Sequence, residues 1–266
     1  MTRALVFDSG VGGLTIARAL AAMAPDWTVD YAADAGFFPY GVKTDEELRA
    51  RLPALCAGLV AKARPDVLVI ACNTASTLSL ADIRASVACP VVGTVPAIKP
   101  AAEQTRTGVI GVLATPGTVR RAYLDDLERD FGRGMKIVRR GSAGLVDIAE
   151  RAARGMAVDR ARVAQAVAPM FEGAGRHIDV VVLACTHFPL IRDDIAKACP
   201  PGVTLIDTGE AVARQAMRVA RETGAGSNRP NPAAPIAYVT GGAANKAAMQ
   251  PVLRRFGYNA VEVVDL

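Results

Sequence analysis

The chain has 266 residues, 51% hydrophobic and 21% charged, which is typical of a folded protein of about two domains and excludes the disordered and fibrous classes. Its formal net charge is +5, but the basic residues are scattered and no nucleic-acid-binding motif accompanies them, so no nucleic-acid partner is expected. No run reaches the roughly 18 uncharged apolar residues that a membrane span needs, so no membrane association is expected.

The predicted elements alternate between short runs rich in Val, Ile and Leu and longer segments of helical period. This pattern indicates an α/β fold with mainly parallel sheets covered by helices on both faces. In chain order, strands are predicted at residues 4–7, 28–31, 67–71, 91–93, 109–113, 136–139, 180–184, 204–206, 236–240 and 261–264.

Two local patterns refine this prediction. Thr44-Asp45-Glu46-Glu47 has the capping-box pattern of a helix start, and Pro53 within that helix should kink or interrupt it. Gly, Ser, Asn and Pro cluster in residues 223–235, which predicts a surface linker before the last strand, helix and strand.

The opening strand runs into a glycine-rich turn at residues 7–13, followed by a helix start. A dinucleotide-binding fingerprint needs a third glycine at position 15, where the chain has Thr15. A phosphate-binding loop needs a lysine directly after its second glycine, but here Val42 lies between Gly41 and Lys43. Nucleotide binding is therefore not supported, and the glycines favour a tight turn near a small ligand. Asp8, at the strand end, could cap the helix or accept a proton.

The sequence contains an internal repeat. Asp66 and Asp179 each precede five apolar residues and a cysteine, Cys72 or Cys185. Any two buried strands share an apolar run, but the shared polar ends favour two lobes of one ancestral design. Both cysteines follow a strand, at the edge where open α/β sheets bind ligands.

The five cysteines form no Cys-x-x-Cys pair, and the first residues resemble a buried strand more than a signal peptide, so free thiols in a cytoplasmic protein are expected. A cysteine at a strand end is usually a small buried hydrophobe, and this interpretation is kept for Cys56, Cys89 and Cys199. Cys72 and Cys185 fit it less well because polar residues follow both.

Two thiols suit one chemical task, the inversion of a carbon stereocentre. A base must remove the α hydrogen of an amino acid on one face, and an acid must return a proton on the other. A thiol has a pKa near 8.5, which falls beside a helix N-terminus or a proton acceptor, so thiolate is available at neutral pH. His187, two residues after Cys185, favours a proton-handling role, whereas His177 is interpreted as a surface or packing residue.

Four motifs are similar, in order and along nearly the whole chain, to those of the glutamate racemases of bacterial peptidoglycan synthesis. They are Phe-Asp-Ser-Gly-Val-Gly-Gly at residues 7–13, Pro-Tyr-Gly at 39–41, Ala-Cys-Asn-Thr-Ala-Ser at 71–76 and Ala-Cys-Thr-His-Phe-Pro-Leu at 184–190. The resemblance implies two similar α/β lobes, residues 1–97 with 208–266 and residues 98–207, with the active site in the cleft between them.

The resemblance also implies a cofactor-independent, metal-free racemase that interconverts L- and D-glutamate and supplies D-glutamate for peptidoglycan. A homodimer is expected. Cys72 would act on D-glutamate with help from Asp8, and Cys185 on L-glutamate with help from His187. Substrate binding is implied for Asp8, Ser9, Tyr40, Gly41, Asn73, Thr74, Thr186 and His187, with Thr115 and Thr118 holding the side-chain carboxylate. Gly141-Ser142 replaces a Cys-Pro of the family, so no role is assigned to Glu150.

Four alternatives remain open at this point. The same machinery could racemise aspartate. Cys185 and His187 could form a cysteine hydrolase, which would leave Cys72 idle. Cys72, Cys185 and His187 could bind a metal, although further ligands are missing. The chain could also be a binding protein that lost turnover.

Overall fold

The computed structural model describes residues 1–132, 134–224 and 234–265. The chain divides into two compact units, Met1–Thr94 with Gly209–Leu266 (unit 1) and Val95–Thr208 (unit 2). We propose that these units are the two expected lobes, with the first boundary three residues before the expected break and the second one residue after it.

The described residues contain ten strands and eleven α-helices. The strands are β1 (Arg3–Asp8), β2 (Thr28–Ala33), β3 (Val67–Ile70), β4 (Val91–Gly93), β5 (Val109–Ala114), β6 (Lys136–Gly141), β7 (Val180–Ala184), β8 (Thr204–Ile206), β9 (Ile236–Val239) and β10 (Ala260–Val263). The helices are α1 (Leu14–Met23), α2 (Asp45–Ala63), α3 (Asn73–Ser86), α4 (Ile98–Gln104), α5 (Pro116–Val119), α6 (Ala122–Phe131), α7 (Ala143–Ala153), α8 (Arg160–Val167), α9 (Arg192–Ala198), α10 (Gly209–Glu222) and α11 (Gly242–Arg255). Each predicted strand is confirmed, with bounds shifted by at most two residues.

The two sheets share a topology. Unit 1 has a six-stranded sheet in the order β10-β9-β2-β1-β3-β4, and unit 2 has a four-stranded sheet in the order β6-β5-β7-β8. All recorded strand pairs are parallel. The first four strands of each unit therefore follow one order, second, first, third, fourth, which supports the internal repeat.

The aspartates of the repeat make comparable contacts within their own units. Asp66 precedes β3, and its carboxylate accepts a hydrogen bond of 2.7 Å from the backbone N–H of Arg3 at the start of the neighbouring β1. Asp179 precedes β7, and its carboxylate accepts bonds from Thr105 Oγ1 (2.5 Å) and Arg106 N–H (2.7 Å), just before the neighbouring β5. Each carboxylate thus ties the amino end of the third strand to the start of the first.

The C-terminal segment completes the sheet of unit 1, because β9 lies between β2 and β10. The buried carboxylate of Asp30 on β2 accepts hydrogen bonds from Ile236 N–H (2.9 Å) and from Arg3 Nη1 (2.8 Å). Thr240 N–H donates to Ala33 O at 3.1 Å, at the other end of the pairing. The C-terminal strands β9 and β10 are therefore part of the same sheet as β1 to β4.

Helix α2 confirms one local prediction and corrects another. Thr44 Oγ1 accepts from Glu47 N–H (3.2 Å) and Glu47 Oε2 accepts from Thr44 N–H (2.8 Å), so the capping box is present. Pro53 does not interrupt the helix, because Asp45–Ala63 forms one helix; a kink at Pro53, the other predicted effect, stays a prediction. The apolar side of α2 is buried along its length and offsets the lost backbone hydrogen bond; its residues include Leu48, Leu52, Leu55, Cys56 and Leu59.

Most of the predicted linker, residues 225–233, lies outside the described residues. Within the described ranges, no helix combines the length and the apolar character that a membrane crossing requires.

Candidate active site

Asp8 organises the first glycine-rich turn. The fully buried carboxylate lies at the end of β1, and Oδ2 accepts hydrogen bonds from Gly10 N–H (3.3 Å) and Gly13 N–H (3.1 Å). A Cβ on Gly13 would lie 2.7 Å from Asp8 Cβ, so the close approach of turn and strand requires glycine there. Asp8 therefore binds the turn that precedes α1, while Gly13 takes the N-cap position.

Cys72 lies two residues beyond β3, at the N-cap of α3. Its Sγ is 3.9 Å from Ser9 Oγ, and the side chain is only 5% exposed. The positive end of a helix dipole stabilises a negative charge, so this location suits a thiolate. Asn73 begins α3, and its buried Oδ1 has no hydrogen-bond partner among the residues that the structure describes. A buried acceptor of this kind is suited to a ligand that carries N–H donors.

The Pro39-Tyr40-Gly41 motif lies in a turn between β2 and α2, with a 3₁₀ segment at Tyr40–Val42. The buried Tyr40 hydroxyl donates to Asp34 Oδ2 at 2.5 Å. Burial and the adjacent Asp34 carboxylate raise the pKa of Tyr40 well above its usual value, so the phenol stays protonated. The donor of Tyr40 is thus used within unit 1.

Cys185 follows β7 in unit 2 and is part of a chain of polar contacts. Its Sγ lies 3.9 Å from His187 Nδ1, and His187 Nε2 lies 2.9 Å from Glu150 Oε1. Glu150 is 5% exposed, and its Oε2 accepts from Arg154 Nη2 at 3.2 Å. With the Nε2 proton donated to Glu150, a neutral imidazole presents the Nδ1 lone pair to the thiol. This arrangement allows His187 to accept the proton of Cys185.

Two buried threonine hydroxyls lie side by side at the end of β5. Thr115 is the N-cap of α5, its Oγ1 accepts from Thr118 N–H at 3.2 Å, and the two hydroxyl oxygens are 3.0 Å apart. The side chains are 6% and 0% exposed. At this distance one hydroxyl donates to the other, so the two hydroxyls would have to re-orient to donate to both oxygens of a carboxylate.

The remaining cysteines differ in environment. Burial raises the pKa of Cys56 to about 12 and that of Cys199 to about 11, and it also raises the pKa of Cys89. All three are neutral thiols at physiological pH, which supports a packing role for them. His177 is exposed in a 3₁₀ segment of unit 2.

Each unit thus gathers its own set of the site residues expected from the sequence at the carboxyl ends of its strands. Unit 1 holds Asp8, Ser9, Tyr40, Gly41, Cys72, Asn73 and Thr74, and unit 2 holds Thr115, Thr118, Cys185, Thr186 and His187. In the described part of the chain, no group of three or more His, Cys, Asp or Glu side chains is placed to hold a metal ion.

Sequence reasoning left Glu150 without a role and did not single out Asp34. Glu150 lies in α7, where no motif distinguishes it from the other charged residues. Asp34 directly follows β2, much as Asp8 ends β1, and this polar strand end was a usable signal.

Comparison with known proteins assigns the chain to a family. The family model for Asp/Glu/hydantoin racemases matches residues 14–216. A glutamate racemase from Sphingopyxis alaskensis is 48% identical over 262 residues, covering 98% of this chain and 96% of that protein. The chain belongs to the glutamate racemase family. It is therefore an amino-acid racemase, which decides against the hydrolase and non-enzymatic alternatives.

Further relatives support the assignment of this racemase to the glutamate racemase family. A glutamate racemase from Brucella anthropi is 47% identical over 215 residues, covering 80% of this chain and 77% of that protein. The crystal structure of Escherichia coli glutamate racemase, in complex with L-glutamate and the activator UDP-MurNAc-Ala, superposes with a TM-score of 0.92 at 37% identity, covering 99% of this chain and 98% of that one. The Bacillus anthracis isoform RacE1 gives 0.83 at 28% identity, covering 100% and 98%. The expected α/β fold class is confirmed.

Proposed function

We propose that this racemase interconverts L- and D-glutamate without a cofactor, with Cys72 and Cys185 as the two proton-transfer groups. One observation carries the proposal: each thiol follows the third strand of a sheet whose first four strands have the same order. Two equivalent acid/base groups are what the inversion of a stereocentre requires. Glutamate is the substrate named for the relatives.

The proton balance of the reaction follows from the two thiols, one of which takes a proton while the other gives one. In the L-to-D direction, the Cys185 thiolate takes the α proton of L-glutamate, and the electron pair left on the α carbon is delocalised into the adjacent carboxylate. The Cys72 thiol then gives its proton to the opposite face. D-glutamate leaves a Cys72 thiolate and a Cys185 thiol, and the reverse reaction exchanges their roles.

Neighbouring groups assist each thiol. His187 accepts the Cys185 proton through Nδ1, while Glu150 holds the imidazole by its Nε2. Asp8 assists Cys72 from the turn that it organises. Both thiols are only 5% exposed, and removal from water strengthens each electrostatic contact with a developing charge.

Different residues suit the different polar groups of the substrate. Asn73 Oδ1, which is buried and unpartnered among the described residues, suits the substrate ammonium group, and the Thr115 and Thr118 hydroxyls suit the side-chain carboxylate. The remaining groups bind the amino and α-carboxylate groups and comprise Ser9, the Tyr40-Gly41 turn, Thr74 and Thr186. We further propose a cytoplasmic homodimer that supplies D-glutamate for peptidoglycan synthesis.

Racemisation in heavy water tests the proposal. We expect L-glutamate without added cofactor to yield D-glutamate that carries deuterium at the α carbon, while recovered L-glutamate stays protonated early in the reaction. Two separate bases produce this asymmetry, because the proton taken from one face is not returned to it. Chiral chromatography with mass spectrometry measures both pools.

Cysteine variants complete the test. Cys72→Ser and Cys185→Ser should each lose at least about a thousandfold in kcat, because a serine hydroxyl is far too weak an acid to replace the thiol. Cys199→Ser is the matched control and should retain activity. Full activity in Cys72→Ser would sink the two-thiol proposal, and faster turnover of aspartate than of glutamate would overturn the substrate assignment.

A further inference from the structure

Asp34 is the centre of a buried hydrogen-bond network in unit 1. It follows β2 directly and is 0% exposed. Its carboxylate accepts from Tyr40 Oη (2.5 Å), from Arg51 Nε and Nη2 (2.7 Å each) and from Thr240 Oγ1 (2.5 Å). Three separate segments, the 39–41 turn, helix α2 and the end of β9, therefore meet at one carboxylate.

The contact with the C-terminal segment is close. Thr240 Oγ1, besides donating to Asp34, accepts from Gly36 N–H at 3.0 Å. A Cβ on Gly36 would lie 2.9 Å from Gly241 Cα, and Gly241 has a φ of +84°. The loop that leads to the 39–41 turn is thus held against backbone that only glycine allows to approach.

Arg51 holds the same loop from α2. Its guanidinium binds Asp34 in a bidentate manner and also lies over the Phe37 ring, 5.1 Å from the centroid. Lys43 Nζ lies 4.2 Å from the centroid of the same ring, and Phe37 contacts Tyr40 edge-on at 6.3 Å between centroids. The turn is fixed on both sides by contacts that need defined geometry.

We propose that Asp34, together with Arg51 and Thr240, positions the Pro39-Tyr40-Gly41 turn for substrate binding. None of the three is assigned a contact with substrate; they act through the turn. The inference rests on the proposed function, because the turn affects catalysis only if it binds the substrate. A buried, charged network is a costly way to gain stability alone, since apolar residues of similar volume often stabilise as well, but it does impose one geometry.

The test compares variants at Asp34, directly after β2, and at Arg51 in α2. In Asp34→Asn, the amide replaces one acceptor oxygen with a donor, and in Arg51→Lys the charge remains but the bidentate fork is lost. Both should raise KM for L-glutamate about tenfold and lower kcat, because a misplaced binding group costs catalysis even at a displacement of about 1 Å. KM does not depend on the fraction of folded enzyme, so a purely structural role would leave it unchanged.

Arg49→Lys is the matched control. Arg49 lies two positions earlier in α2 and pairs with Asp82 at 2.8 Å, with side chains 53% and 44% exposed. The KM of Arg49→Lys for L-glutamate should equal that of the wild type. In a double-mutant cycle, Tyr40→Phe combined with Asp34→Asn should raise KM by less than the product of the single effects, because both changes break the same contact.

The outcomes separate the two proposals. Unchanged KM, within twofold, in Asp34→Asn and Arg51→Lys would overturn the positioning role, even if melting temperature or Vmax fell. If the wild type does not turn over glutamate, the proposed function fails, and calorimetric affinities for L-glutamate in the same variants then decide the positioning role alone. Absence of glutamate binding by the wild type would overturn both.

Discussion

Glu150 and His187 are joined by a 2.9 Å contact between Oε1 and Nε2, and both side chains are buried. A histidine that must accept and return a proton needs a fixed ring orientation and a fixed tautomer, and a carboxylate on its distal nitrogen supplies both. Glu150 therefore acts on the thiol of Cys185 only through His187. It is a positioning residue in the proposed mechanism.

We expect Glu150→Gln to lower kcat/KM for glutamate by about tenfold or more, because the neutral amide stabilises the imidazolium less well. Asp147→Asn is the control, since it makes the same carboxylate-to-amide change on α7 at a side chain that is 55% exposed. Steady-state kinetics across pH measures the effect. Equal activity and an unchanged pH profile in Glu150→Gln would show that the contact is only structural.

At the level of elements, the start of helix α2 depends on a local sequence pattern, whereas its continuity depends on tertiary packing. The capping box depends on residues three apart, Thr44 and Glu47, so the sequence alone predicted it correctly. The predicted interruption at Pro53 does not occur, because the buried apolar side of α2 maintains the helix through a residue that would break an isolated one. Local rules therefore located the helix start but did not predict its continuity.

Replacement of the cap should have a defined effect on stability. Thr44→Ala removes the side-chain acceptor of Glu47 N–H and should lower the free energy of unfolding by about 1 kcal/mol. Thr44→Ser keeps the acceptor and serves as the control, with little change expected. Urea unfolding followed by circular dichroism measures both. A loss in Thr44→Ser as large as that in Thr44→Ala would mean that the methyl group matters more than the cap.

Across the whole molecule, buried acids with raised pKa values are unevenly distributed in the described residues. Burial raises the pKa of Cys56 to about 12 and of Tyr238 to about 12, and it raises that of Tyr258 further; all three lie in unit 1. A group whose folded pKa exceeds its unfolded value stabilises the fold fully below the unfolded pKa, and that stability is lost as pH rises towards the folded one. Unit 1 should therefore weaken above about pH 9.

We expect the free energy of unfolding, followed by fluorescence of Trp27 in unit 1, to fall between pH 9 and 11. Cys56→Ala should flatten this decline by up to about 1.4 kcal/mol per pH unit, because the unfolded thiol no longer ionises. Leu55→Ala is the control, since it removes buried volume from the same helix without a titrating group, and its slope should equal that of the wild type. Identical slopes in all three proteins would contradict the role of Cys56.

The sequence by itself determined what depends on neighbouring residues: the ten strands, the cap of α2, and the two cysteines that follow equivalent apolar runs. These signals are local, because the spacing of apolar residues and the helix cap each depend on residues only a few positions apart. Only the tertiary structure decided the partners of Glu150 and Asp34. The pairs Glu150–His187 and Asp34–Thr240 are 37 and 206 positions apart, and a contact at such a separation exists only once the parallel strands bring their carboxyl ends to one edge.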